Sequence, residues 1–286
     1  DPEGGYKEYP TSVSIGGGFL GEYKGKPDSL YYLGKCEVTR GQYRAVMGEM
    51  PPGGAGNDAN LPMSDLSWFQ VQGFLDRYNQ WLFMNAVDKL PKNGEATGFL
   101  RLPTDAEWEF AARGGIAVSL DEFDRKTPYE GPLTRHEWFA GPKSSHDKVK
   151  PVGRLAPNPI GLHDMLGNVA EMTESLYRIE YYQGKAGGFV ARGGHYFTAE
   201  KNLRSSMRTE EPFYANLGDK PPAPNKKPTL GLRLAVSSVV FSDRQAARAY
   251  ARAWEEYRAG HGASLPAAVS VSPTSTQTKV KAEDAL

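Results

Sequence analysis

Glycine and proline punctuate this chain from end to end, with 32 Gly and 21 Pro spread along 286 residues rather than gathered in one linker. Glycine readily takes positive φ, whereas proline fixes φ and removes a backbone donor. Long uninterrupted helices and strands are therefore confined to the few stretches free of both. The distribution predicts many turns, short elements, long ordered loops and little regular secondary structure. The remaining composition, 39% hydrophobic and 11% aromatic, is that of a globular protein. A chain of this length buries about three quarters of its unfolded surface and needs no covalent staple.

Charge and cysteine content exclude several classes. Lys+Arg and Asp+Glu both number 34, so no global basic field exists to hold nucleic acid or an anionic membrane. The apolar run Leu234 to Phe241 is interrupted by Ser237 and Ser238. It falls far short of the roughly 18 to 20 residues that span a bilayer, so no membrane insertion is expected. The single cysteine, Cys36, cannot form an intramolecular disulfide or join a Cys-rich zinc site. Its neighbours Lys35, Glu37 and Val38 read as a strand, far in sequence from Ser205.

Three segments read as helices. After Ser67 as N-cap, Trp68, Val71, Phe74, Leu75, Tyr78, Trp81 and Leu82 recur at helical spacing. Thr104 and Glu107 have capping-box spacing, Trp108, Ala111 and Ala112 form an inner face, and Gly114–Gly115 supplies the stop. Ser242 and Gln245 open a third, with Ala247, Tyr250, Trp254 and Tyr257 on one face; this stripe is covered by the domain itself or by another protein. The division read from the sequence is a 1–10 extension, an 11–241 domain, a 242–262 helix and a flexible 263–286 tail. Gly218 to Pro228 reads as a solvated loop, and neither glycine cluster (16–18; 53, 54 and 56) has the strand–loop–helix setting of a phosphate cradle.

Five stretches, in order, resemble the formylglycine-generating enzyme (sulfatase-modifying factor) family. They are Gly16-Gly-Gly-Phe-Leu-Gly21, Glu37-Val-Thr-Arg-Gly-Gln-Tyr43, Arg101-Leu-Pro-Thr-Asp-Ala-Glu-Trp-Glu-Phe-Ala-Ala-Arg-Gly-Gly115, Asn158-Pro-Ile-Gly-Leu-His-Asp-Met-Leu-Gly-Asn-Val-Ala-Glu171, and Arg192-Gly-Gly194 with Gly231-Leu-Arg233. The resemblance implies an α+β, C-type-lectin-like fold with low regular secondary structure. Enzymes of the family use two cysteines five residues apart to bind copper; those positions here are Glu200 and Ser205. Oxygen ligands suit a soft Cu(I) site poorly, so no copper and no catalytic residues of that type are expected.

The resemblance also implies a calcium loop. Asp164 and Glu171 would offer carboxylates and Gly167 and Val169 backbone carbonyls, all hard oxygen donors. On the other reading these acids cap the turn and pair with an arginine. A second ion would use Asp147 and the Val149 carbonyl. The family's tryptophans around the glutamate are Ala170 and Met172 here, which reshapes the enzymes' peptide groove. His195 could combine with Glu200, Ser205 or Ser206 as base and nucleophile, or be merely structural. Arg204, Arg208 and Arg233 are expected to pair with acids such as Glu107 or Glu109. Tyr177, Tyr181 and Tyr182 line either a ligand surface or a wall.

Further stretches, among them Gly25-Lys-Pro-Asp-Ser-Leu-Tyr-Tyr-Leu-Gly-Lys35, Tyr78-Asn-Gln-Trp-Leu82 and Gly187-Gly-Phe-Val-Ala-Arg192, resemble non-catalytic, type VI secretion-associated members of the family, the TagR type. These imply a periplasmic binding protein, exported by a signal peptide that the chain, opening at Asp1, does not carry. It would promote activation of a membrane Ser/Thr kinase controlling secretion, through the kinase's sensor region or an outer-membrane lipoprotein. The alternative is a cysteine-independent periplasmic oxidase-like enzyme of siderophore chromophore maturation.

Overall fold

The computed structural model describes residues 12–238, apart from 14, 16–17, 24–25, 51–57, 94–95 and 177–186, together with 245, 248–249 and 252. The Cα trace divides into two units, Asp1–Val240 and Phe241–Leu286. In the second, Gln245, Arg248, Ala249 and Arg252 are helical and exposed. The stripe Ala247, Tyr250, Trp254 and Tyr257, the tail, the 1–10 extension and Tyr177, Tyr181 and Tyr182 lie outside the described residues. Among the described residues no helix is long and apolar enough to cross a membrane.

Four helices of the first unit, α1 (Arg40–Met47), α2 (Trp68–Asn85), α3 (Asp105–Ala112) and α4 (Leu120–Phe123), each open on a reciprocal capping box. The boxes are Thr39/Gln42, Ser67/Gln70, Thr104/Glu107 and Ser119/Glu122. In each, the hydroxyl accepts from the N3 amide and the N3 side chain accepts from the cap amide, which satisfies two donors a helix start leaves unpaired. α2 and α3 begin where the sequence predicts. α3 buries Trp108, Ala111 and Ala112, and Gly114 follows at φ 96°. The stripe on α2 is narrower than read: Val71, Phe74, Leu75 and Phe83 are buried, while Trp81 is 54% exposed because it turns off the core-facing side.

The main sheet runs Leu230–Leu232, Ala170–Leu176, Gly188–Arg192, Arg208–Pro212. Its first pair is parallel, with Leu230 opposite Ala170 and Gly231 opposite Glu171; the others are antiparallel. A second sheet places Ala235–Ser237 between Tyr32–Leu33 and Phe99–Arg101. Two corrections to the sequence reading follow. Tyr214–Leu217 and Lys220–Pro224 form an exposed hairpin where a loop was expected, because Gly218 (φ 68°) and Asp219 supply the turn. Cys36 lies in a bend, not a strand, and is half-buried: Gly34 donates to the Leu234 carbonyl and the chain turns away toward α1.

The larger core cluster joins Val38, Tyr43, Phe74, Leu100, Met172, Phe189 and Leu232 from α1, α2 and both sheets. A second joins Trp108, Ala111 and Ala112 of α3 to Leu162, Met165 and Leu166. The last two belong to the Asp164–Glu171 segment, so that loop is moored in the interior.

Candidate functional site: a buried carboxylate centre

The Asp164–Glu171 loop takes backbone shapes most side chains avoid. Asp164 and Asn168 have φ of 56° and 48°, and Gly167 has 155°. Left-handed φ is tolerated by Asp and Asn and free for Gly. Three glycines let neighbouring chain close on it. A Cβ on Gly167 would stand 2.3 Å from the Trp138 carbonyl oxygen, on Gly193 2.5 Å from that of Met165, and on Gly231 2.6 Å from Val169 Cγ2. Asn168 N–H donates to the Trp138 carbonyl at 2.8 Å, and Tyr196 N–H to that of Asn168.

Four buried carboxylates surround one guanidinium. Glu171, fully buried, meets Arg233: Oε1 accepts from Nη2 at 2.6 Å and from Nε at 3.0 Å, and Oε2 from Nε at 2.9 Å. Trp108 Nε1 donates to Oε2 at 2.6 Å. Arg233 also donates to the carbonyls of Gly34 and His163, both at 2.8 Å. The parallel pairing of Gly231 with Glu171 brings Arg233 there. Glu37 holds the loop from outside, accepting from Val169 N–H at 3.0 Å and from Asn168 Nδ2 at 2.8 Å. Asp164 accepts from Gly153 N–H at 2.7 Å through Oδ2, while Oδ1, buried, has no hydrogen-bond partner among the described residues. Glu137 accepts from Tyr129 OH through Oε1, and its Oε2 is likewise buried and unpartnered.

Burial raises the carboxyls of Glu37 and Asp164 above their ordinary range, and for Glu37 the charges of Asp164 and Glu171 add to it. Glu137 is pushed up to about 8 by burial, against the bond from Tyr129 and with Asp164 nearby. Burial opposes the charge on Arg233, but Glu171, then Glu37 and Asp164, outweigh it and hold the guanidinium charged. Four formal negative charges thus share one positive charge, a deficit that protons or a cation must fill.

All four residues read as calcium ligands lie on this loop, but they are not equally free. Asp164 offers an unpaired oxygen. Glu171 is committed to Arg233 and Trp108, as in the reading that pairs these acids with an arginine. Among the described residues no three His, Cys, Asp or Glu side chains converge as a metal cluster, so an ion here would lean on one or two carboxylates and backbone carbonyls. At the second suggested site Asp147 is exposed and its Oδ1 accepts from Gly141 N–H at 3.0 Å, a turn cap.

The arginine pairings differ from expectation. Glu107 takes Arg101 through two bonds of 2.6 and 2.7 Å, Glu109 takes Arg113 and Arg192, and Arg208 takes Asp105 and Glu210. Glu107 and Glu109, the acids named as examples for Arg204, Arg208 and Arg233, are thus held by Arg101, Arg113 and Arg192. The two positions matched to the enzymes' thiols are split: Glu200 is exposed in a 3-10 turn, whereas Ser205 is fully buried with its hydroxyl unpartnered among the described residues. His195 therefore makes no bond to Ser205; its Nδ1 accepts from Phe197 N–H, and burial, then Lys227, lowers its pKa. Sequence reasoning missed Glu37 as a loop anchor, although it lay in a quoted motif, and missed Glu137 altogether. The one signal for Glu137 was a lone acid beside Trp138 and Phe139.

A mixed helix-and-sheet domain, poor in regular structure and closed around a buried carboxylate–arginine centre, is the class these features define. Residues 22–237 match the sulfatase-modifying factor enzyme 1-like domain, and the chain belongs to that family. Chaperone protein LppX of Paenibacillus barcinonensis is 28% identical over 203 residues, 57% of this chain and 70% of that protein. Serine/threonine-protein kinase pkn1 of Chlamydia pneumoniae is 33% identical over 166 residues, 52% of this chain; the match spans only 21% of the kinase. Among solved structures, Treponema denticola variable protein 1 aligns with a TM-score of 0.55 at 24% identity, covering 79% of this chain and 93% of that one. That likeness is one of fold.

Proposed function

We propose that this protein is a non-catalytic, periplasmic binding and regulatory member of its family, which promotes activation of a membrane Ser/Thr kinase controlling type VI secretion. The observation that carries the non-catalytic part is the split of the two thiol positions, one a surface carboxylate and the other a buried hydroxyl, neither a ligand for soft Cu(I). The likeness to part of a Ser/Thr kinase supports the kinase branch, since there the family domain shares a polypeptide with a kinase. Incubation with a Cys-containing sulfatase peptide, with and without copper, is expected to yield no formylglycine, while addition to the membrane-reconstituted kinase raises its autophosphorylation. Copper-dependent conversion of the peptide, or an unchanged kinase, overturns the corresponding half.

The Asp164–Glu171 loop, in the same proposal, holds one structural Ca²⁺ through Asp164 Oδ1 and the carbonyls of Gly167 and Val169. The buried, unpartnered Oδ1 and the uncompensated negative charge support this fit. A bound ion adds about 2.7 kcal/mol to stability when free calcium is a hundred times its dissociation constant. Chelation is therefore expected to lower the melting temperature of the wild type and leave Asp164→Ala unmoved. Glu171→Ala is unsuitable as the probe because it also strands Arg233. Equal responses of wild type and Asp164→Ala count against the ion.

A further inference from the structure

Calcium loops ordinarily bring more than one carboxylate to the ion, and in this protein the second carboxylate of the sequence pattern, Glu171, is already saturated by Arg233 and Trp108. Glu137 stands in the opposite condition. It is fully buried, Tyr129 uses only one of its oxygens, and Oε2 has no partner among the described residues. Its segment lies along the loop: Leu166 N–H donates to the Glu137 carboxylate, Asn168 N–H bonds the Trp138 carbonyl, and Gly167 packs against that same carbonyl. Asp164, whose Oδ1 is the other buried unpartnered oxygen, is the carboxylate that acts most strongly on Glu137.

We infer that Glu137 takes the place Glu171 has given up, so that Asp164 Oδ1 and Glu137 Oε2 close on one Ca²⁺ with the loop carbonyls. The inference rests on the calcium reading above. Two otherwise unsatisfied buried oxygens are both explained by one hard cation, and the charge deficit around Arg233 falls by two. Tyr129 acts here as a positioning residue: its hydroxyl fixes Oε1 and turns Oε2 toward the loop.

The test is calcium titration by calorimetry on purified wild type, Glu137→Gln and Tyr129→Phe, each preceded by chelation. Glu137→Gln keeps size and the Tyr129 bond but removes the charge, so affinity is expected to fall on the order of tenfold or more. Tyr129→Phe keeps the ligand and is expected to lose less. If wild type binds calcium and Glu137→Gln binds it equally, the role of Glu137 is overturned while the loop site stands. If wild type takes up no calcium, the loop reading itself fails. Thermal denaturation without calcium checks that both variants are folded.

Discussion

Replacing Arg233 by Met is expected to destabilise the domain by about 3–5 kcal/mol, the cost of stripping a buried carboxylate of its only counter-charge. Arg233 is fully buried and satisfies both oxygens of Glu171 while tying the carbonyls of Gly34 and His163 to the sheet edge. Its loss leaves Glu171, with the charges of Glu37 and Asp164 nearby, without the guanidinium that faces it. Methionine matches the arginine stem in bulk, so the effect reads charge and hydrogen bonding rather than an emptied cavity. Equilibrium urea denaturation measures it. A loss below about 1 kcal/mol would show that the acids are neutralised by other means. Adding Glu171→Gln to Arg233→Met is expected to recover part of the loss, since the stranded charge disappears. The exposed pair Lys89–Asp88 is the contrast: Lys89→Ala should change stability by under about 0.5 kcal/mol.

What the sequence made legible was local. Ser67/Gln70 and Thr104/Glu107 announced α2 and α3 because a capping box is complete within four residues and the apolar stripe follows it. Thr39/Gln42 and Ser119/Glu122 carry the same signature, yet α1 contains Gly41 and α4 is only four residues long, so neither has a stripe long enough to read. The Gly218–Asp219 turn was hidden by the prolines that follow it, Pro221, Pro222 and Pro224, which are tolerated because their strand is exposed at an edge.

The candidate site divided along the same line. Asp164, Gly167, Val169 and Glu171 sit on one loop, as their contiguity in sequence requires. The partner of Glu171 lies 62 residues away, delivered by a parallel strand register, and no spacing rule links the two. Acids and arginines are numerous here, so pairing is decided by geometry: Glu107 and Glu109 bond Arg101 and Arg113, six and four residues distant, and Arg233 is left for Glu171. Glu137 was unreadable for a related reason. A single acid between His136 and Trp138 becomes noticeable only when the fold has enclosed it and one oxygen is seen without a donor.

Gly167→Ala is expected to be the most damaging single-methyl change in the loop, costing about 3 kcal/mol or more. The new Cβ would lie 2.3 Å from the Trp138 carbonyl oxygen and 2.9 Å from its carbon, both backbone atoms that no rotamer change can move. Relief requires the loop and the Trp138 strand of chain to part, which breaks the Asn168 N–H bond to the same carbonyl. Positive φ, 155° at this residue, adds strain of its own. Gly161→Ala separates the two contributions: its φ is 86° but nothing lies within 4 Å of the added carbon, so only the backbone term of about 1–2 kcal/mol remains. Denaturant titration of both variants reads the difference directly, and equal losses would show that close approach to Trp138 contributes nothing. Because the Gly167 carbonyl is one of the proposed calcium donors, Gly167→Ala should also lose the melting response to chelation, while Gly161→Ala keeps it.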